Sequence, residues 1–246
     1  MTARNPIIVA LDVDSAAKAL ALADQLRGAV GAVKVGSQLF TAAGPTIVER
    51  LTERGHRVFL DLKYHDIPNT VAGAAAEAAK RGAWMIDVHA SGGLAMMKAA
   101  QESARASAQA AGITPPLVIA ITVLTSFDQN TIESVGIQRP IVDQVDALAW
   151  LAQEAGLDGV VASPHEVARL RAARGERFVL VTPGIRASAP DEADHKRDDQ
   201  ARTMTAGAAI TAGASFIVVG RPIIAAPDPL AAAEALAAEA MATSPK

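Results

Sequence analysis

The chain is 246 residues long, 50% hydrophobic and 20% charged, with a net charge of −3 and no cysteine. That length buries one full core, the missing cysteine excludes disulfides and thiolate metal sites, and weak charge with 3% aromatic content gives no footprint for nucleic acid. No apolar run reaches about 18 residues, so the sequence predicts neither a membrane span nor a signal peptide and reads as cytoplasmic. In chain order, short β-branched runs alternate with Ala-rich helical patterns. A strand over 7–12 precedes a helix over 15–26, a strand over 32–36 a helix over 45–54, and a strand over 57–63 a helix over 69–81. Then follow 84–89 and 95–110, 117–123 and 142–155, 159–162 and 164–173, 178–182 and 202–212, and finally 215–220 and 229–241. The pairs Arg54-Gly55, Arg81-Gly82 and Arg174-Gly175 read as helix C-termini, with Gly in a left-handed cap. Eight strand–helix repeats predict the α/β class and a single (β/α)₈ TIM barrel over 1–246. An open doubly wound sheet would carry a Gly-rich turn after its first strand; residues 11–15 read L-D-V-D-S instead.

The segment D-L-K-Y-H-D-I-P-N-T, residues 61–70, concentrates charge directly after the apolar run of the third strand. Alternation puts Phe59, Asp61 and Lys63 on one face and Val58, Leu60 and Leu62 on the other. Charges on the inward face of a buried strand are costly unless they compensate one another or serve chemistry. Barrel active sites lie at the C-terminal ends of the strands, and polar residues recur there. Asp12 ends strand one, Lys34 lies on strand two, Asp87 and His89 end strand four, and Thr122 and Thr125 fall near the end of strand five. Structural readings compete: Asp12 could cap the helix near Ser15, and Lys34 with Asp61 could be an ion pair only. Asp87 and His89 read as supports outside the site, and Trp84, alternating away from Asp87, is predicted to pack outward against helices.

The 61–70 segment resembles the signature of the orotidine 5′-monophosphate decarboxylase family. Further matching motifs are I-V-A-L-D (8–12), V-K-V-G (33–36), V-H-A-S-G-G (88–93) and L-T-S (124–126). T-P-G-I-R (182–186), D-D-Q (198–200) and V-V-G-R-P-I (218–223) complete the ordered set. Tyr64, where the family often has Phe, is the one departure inside the signature. The resemblance implies decarboxylation of orotidine 5′-monophosphate (OMP) to uridine 5′-monophosphate (UMP), the last step of de novo pyrimidine synthesis, with no metal and no organic cofactor. It implies that Lys63 stabilises a carbanion at C6 and protonates it, within a row Lys34–Asp61–Lys63–Asp66. It also implies a homodimer, with Asp66 and Thr70 entering the neighbour's site. Asp12 and Lys34 resemble ribose contacts, as does Thr70. Asp61 would sit beside the substrate carboxylate, with Ser126 on the pyrimidine edge and Thr125 next to it. Gly220 and Arg221 resemble the phosphate grip, and Arg186 and Gln200 bracket a polar lid at about 186–200. A loop of that length inside a compact domain is unusual unless functional.

Other functions fit parts of the pattern. A Mg²⁺-dependent sugar-phosphate decarboxylase shares the D-x-K-x-x-D core but places an acid where Lys34 stands; an ammonium repels a dication. A Schiff-base aldolase would need Lys63 neutral, which flanking acids oppose. A catalytically dead scaffold would not need every charged member of the motif.

Overall fold

Runs such as Ile7-Ile8-Val9-Ala10 and Leu117–Ile121 become strands because β-branched side chains fit a pleated sheet covered on both faces. The computed structural model describes residues 5–186 and 203–242. Among them, β1 (Ile7–Ala10), β2 (Ala32–Gly36), β3 (Val58–Tyr64) and β4 (Met85–His89) pair in sequence order. β5 (Leu117–Ile121), β6 (Gly159–Val161), β7 (Val179–Thr182) and β8 (Phe216–Val219) continue the sheet. All pairs are parallel, and β1 closes on β8 with Ile7 opposite Ile217, so the predicted barrel is observed.

The main connecting helices are α1 (Ala16–Gln25), α2 (Ser37–Ala43), α3 (Thr46–Glu53), α4 (Pro68–Lys80) and α5 (Gly93–Ala110). α6 (Gln129–Ser134), α7 (Ile141–Glu154), α8 (Val167–Arg174), α9 (Ala206–Thr211), α10 (Arg221–Ile224) and α11 (Pro229–Ala242) follow. Three of these, α2, α6 and α10, escape sequence periodicity because they are too short to complete a repeating apolar face. Ser15 caps α1 by accepting the Lys18 N–H, so Asp12 does not serve as the cap. Gly55, Gly82 and Gly175 do follow their helices with φ of 81°, 81° and 79°.

Two apolar layers result. Outward strand residues such as Val9, Val33 and Leu60 pack on helix residues such as Leu20, Leu51 and Met97. Inside the barrel, Ile8, Ala32, Phe59, Met85, Ile119 and Val181 fill the lower half. Trp84 corrects the sequence reading: it packs on this interior cluster rather than outward on helices. It meets Phe216 edge-on at 5.2 Å and lies under the Arg57 guanidinium, 4.5 Å from its ring centre. Arg57 is in turn held by the Gly31 carbonyl at 2.6 and 2.8 Å, so the lower end of the barrel is plugged. Apolar filling below leaves the chemistry to the upper mouth.

Candidate active site

A cavity of about 440 Å³ opens at the C-terminal ends of the strands. Its floor is Phe59, Ile121, Val161, Val181 and Val218; its charged wall is Asp12, Lys34, Asp61, Lys63 and Asp87. Lys34 rises from β2 and bonds Asp61 Oδ2 at 3.2 Å and Asp12 Oδ1 at 3.3 Å. Lys63 ion-pairs with the other oxygen of Asp61. One carboxylate therefore bridges two ammonium groups. Lys34 is almost wholly buried, which works against its charge, but Asp61 and then Asp12 outweigh burial and hold it above the usual lysine range. Burial pushes the Asp61 carboxyl up, yet Lys34, a hydrogen bond from Asp87 and Lys63 together bring it down to about 2. Removing one partner of such a buried pair typically costs ~3–5 kcal/mol.

Lys63 does not reach this position by simple alternation. The β3–β4 register runs Leu60↔Ile86 and then Tyr64↔Val88, so three β3 residues stand opposite Asp87 alone. Within that bulge Lys63 takes φ of 53°, the one left-handed non-glycine conformation among the described residues. Such a conformation costs roughly 1–2 kcal/mol. Asp87 Oδ1 accepts the Lys63 N–H at 2.8 Å, a bond of the order of 1 kcal/mol or more when one group is charged or buried. Strain at a candidate lysine marks a residue whose placement is imposed by its surroundings.

The remaining predicted residues divide clearly. Thr125 (buried), Ser126 (exposed), Arg186, Gly220 and Arg221 all line the cavity, and Arg221 opens α10 just past β8. Asp66 and Thr70 do not line it: both are exposed, and Asp66 Oδ1 accepts only the Ile67 N–H, at 2.6 Å. Within one chain the row therefore runs Lys34–Asp61–Lys63 and stops. Gln200 and the lid stretch 187–199 lie outside the described residues. Thr122 is buried and donates to the Val161 carbonyl at 2.9 Å, a structural bond outside the cavity lining. Two further residues belong to the site that sequence reasoning does not place there. Asp87 lines the cavity, although its position in the sequence reads as a support outside it. At Gly36 a Cβ would fall 2.9 Å from Lys34 Nζ, so the small residue leaves room for the ammonium. A strand carboxylate with no cation on its own strand is the available signal for Asp87.

Among the described residues no group of three or more His, Cys, Asp or Glu side chains could hold a metal ion, and the Asp12 and Asp61 carboxylates are engaged by lysines. No helix there is long and apolar enough to cross a membrane. The wall instead sets two ammonium groups, those of Lys34 and Lys63, on either side of one carboxylate above an apolar floor.

Residues 5–236 match the family model described as orotidine 5′-phosphate decarboxylase / HUMPS family. A relative named orotidine 5′-phosphate decarboxylase, from Moorella thermoacetica, is 52% identical over 240 residues, covering 97% of this chain and 93% of the relative. One of the same name from Syntrophotalea carbinolica is 51% identical over 237 residues, covering 96% and 95%. The crystal structure of orotidine 5′-phosphate decarboxylase from Lactobacillus acidophilus superimposes with a TM-score of 0.82 at 38% identity, covering 96% of this chain and 99% of that one.

Proposed function

The chain belongs to the orotidine 5′-phosphate decarboxylase / HUMPS family, and we propose that it converts OMP to UMP and CO₂ with no metal or organic cofactor. The observation that carries this reading is the Lys34–Asp61–Lys63 row on the wall of the mouth cavity. Breaking the bond between C6 and the carboxylate leaves an electron pair on C6, in the ring plane and poorly delocalised. Fixed positive charge at that point stabilises it, and charge preorganised in a water-poor site is usually the strongest source of rate enhancement in enzymes. The Lys63 ammonium supplies the charge and then gives a proton to C6; the resulting amine regains one from water. Asp61 stands beside the substrate carboxylate, pairs with Lys63 and keeps Lys34 charged.

Asp66 of the partner subunit completes the row, and Thr70 of the partner subunit reaches the ribose. Their exposure in the chain, beside Ile67 at 67% exposed, supports a surface that a second copy covers. Asp12 and Lys34 hold the ribose hydroxyls, and Ser126 and Thr125 meet the pyrimidine. Gly220 and Arg221 take the phosphate at the start of α10, where backbone N–H groups point outward. The stretch 186–200, with Arg186 and Gln200 at its ends, closes over the phosphate, so that binding energy there drives chemistry at C6.

A Mg²⁺-dependent sugar-phosphate decarboxylase is disfavoured because Lys34 already occupies the Asp12 and Asp61 carboxylates that a dication would need. Loss of OMP absorbance in the ultraviolet, followed with excess EDTA, tests the reading. The chain is expected to turn over OMP at the same rate with and without chelator. Activity that vanishes in EDTA and returns with Mg²⁺ would contradict it.

A further inference from the structure

The decarboxylation scheme leaves one buried carboxyl at the site unused, that of Asp87. It has no exposed surface and lies on the cavity wall beside Asp61 and Lys63. Its Oδ1 accepts the Lys63 N–H at 2.8 Å, whereas Oδ2, also buried, receives no hydrogen bond. Asp61 faces it across the irregular stretch of the β3–β4 ladder, and the two carboxyls interact. Two carboxyl groups so placed, away from water, are not both ionised unless cations match both. Lys34 and Lys63 direct their ammonium groups to Asp61. The negative charge therefore belongs to Asp61 and the proton to Asp87. Protonation turns Oδ2 from an orphaned acceptor into a donor, and Asp61 is the carboxylate with which Asp87 interacts.

The strand register shows why a carboxyl is needed at this point. Asp61, Leu62 and Lys63 stand opposite Asp87 alone, so the ladder offers the Lys63 N–H no carbonyl. The Asp87 side chain fills that gap and holds the bulge that aims Lys63. We propose that Asp87 is a positioning residue acting as a neutral carboxylic acid, with Oδ1 pinning the Lys63 N–H and Oδ2–H donating to Asp61. This rests on the decarboxylase reading of the site. Its charged and titratable surroundings are Asp61, Lys63 and Tyr64 on β3, Lys34 on β2 behind Asp61, and His89 on β4 with His65 against its ring. β5 brings none, since Asp87 pairs there with Ile119. Burial first, and the Asp61 charge second, push the Asp87 carboxyl well above the usual range, in keeping with this assignment.

Asp87→Ala and Asp87→Asn test the proposal, because Asn keeps an oxygen for Lys63 and an N–H for Asp61. In Asp87→Ala, kcat for OMP should fall at least about tenfold while UMP affinity stays within about threefold, and Asp87→Asn should recover most of that loss. Melting provides a second readout. Above the ordinary value of 3.8 the unfolded chain releases the Asp87 proton while the folded chain keeps it, so wild-type stability falls as pH rises. Asn removes that slope, so the melting advantage of Asp87→Asn over wild type should grow from about pH 5 to about pH 8. Asp87→Asn as slow as Asp87→Ala, or Asp87→Ala with wild-type kcat, would overturn the proposal. So would a melting difference that does not change with pH, and this decides the matter if Asp87→Ala fails to fold. A wild-type chain inert toward OMP would overturn the decarboxylase reading instead, with the melting result still bearing on Asp87.

Discussion

Asp61 serves two ammonium groups at once, and that sharing fixes which groups at the mouth are charged. A carboxylate between two lysines is matched, so its burial is tolerable, whereas Asp12 is half exposed and keeps water as a second partner. At the far side of the cavity Arg221 is the predicted phosphate contact. Its guanidinium suits a two-oxygen grip, and a charge-assisted bond is worth ~1.5–3 kcal/mol, so Arg221→Ala should raise KM for OMP about 10–100-fold. Guanidinium salt in solution should restore part of that loss, and steady-state kinetics with and without it measures both effects. An unchanged KM would remove Arg221 from the phosphate site. Alternation alone is enough to place Lys34, Asp61 and Asp87 on the inward face, because β2, β4 and the start of β3 are regular strands. It is not enough for Lys63. A period of two holds only while the ladder is unbroken, and nothing in D-L-K-Y announces a left-handed lysine.

At the level of elements, β2 and β3 work as a pair, with Gly36 opposite Asp61 in the register. Gly36 matters through the space it leaves, since a Cβ there meets Lys34 Nζ at 2.9 Å. Gly36→Ala should displace the ammonium by a fraction of an ångström and lower kcat/KM about tenfold or more, with only a small change in melting temperature, because the atom that moves ends a flexible side chain. Kinetics and a melting scan on the same preparation check this; a large loss of stability with normal kinetics would contradict it. Helix ends are legible wherever a basic residue precedes Gly, and the strands lie within two or three residues of their expected bounds. The strands stop short of Asp12, Val123 and Gly220, which sit in the turns above the barrel. Val123 and Gly220 look like strand in sequence because they are apolar or small, and Asp12 because it directly follows the apolar run 7–11. Trp84 departs from expectation for a related reason: it precedes β4 at the rim, where the side chain can fold under the barrel floor rather than onto helices.

The whole barrel separates stability from chemistry, with packed side chains and the Arg57–Trp84 plug below and unlike charges above. Eight strand–helix repeats make that architecture readable, since parallel strands need helical crossovers and leave few alternatives. Assembly is not readable from residue physics. An exposed 65–70 segment carrying Asp66, Ile67 and Thr70 looks the same in sequence whether solvent or a second copy covers it. The proposed row is complete only across two chains, so mixing two inactive variants tests it most directly. Lys63→Ala lacks the proposed proton donor, and Asp66→Ala lacks the residue proposed to enter the neighbour's site. In mixed dimers one site joins an intact Lys63 with an intact Asp66, so an equal mixture, exchanged and assayed with OMP, should recover about a quarter of wild-type activity while each parent alone stays near zero. A mixture no more active than its parents, or a Lys63→Ala chain that turns over OMP at the wild-type rate, would contradict the account.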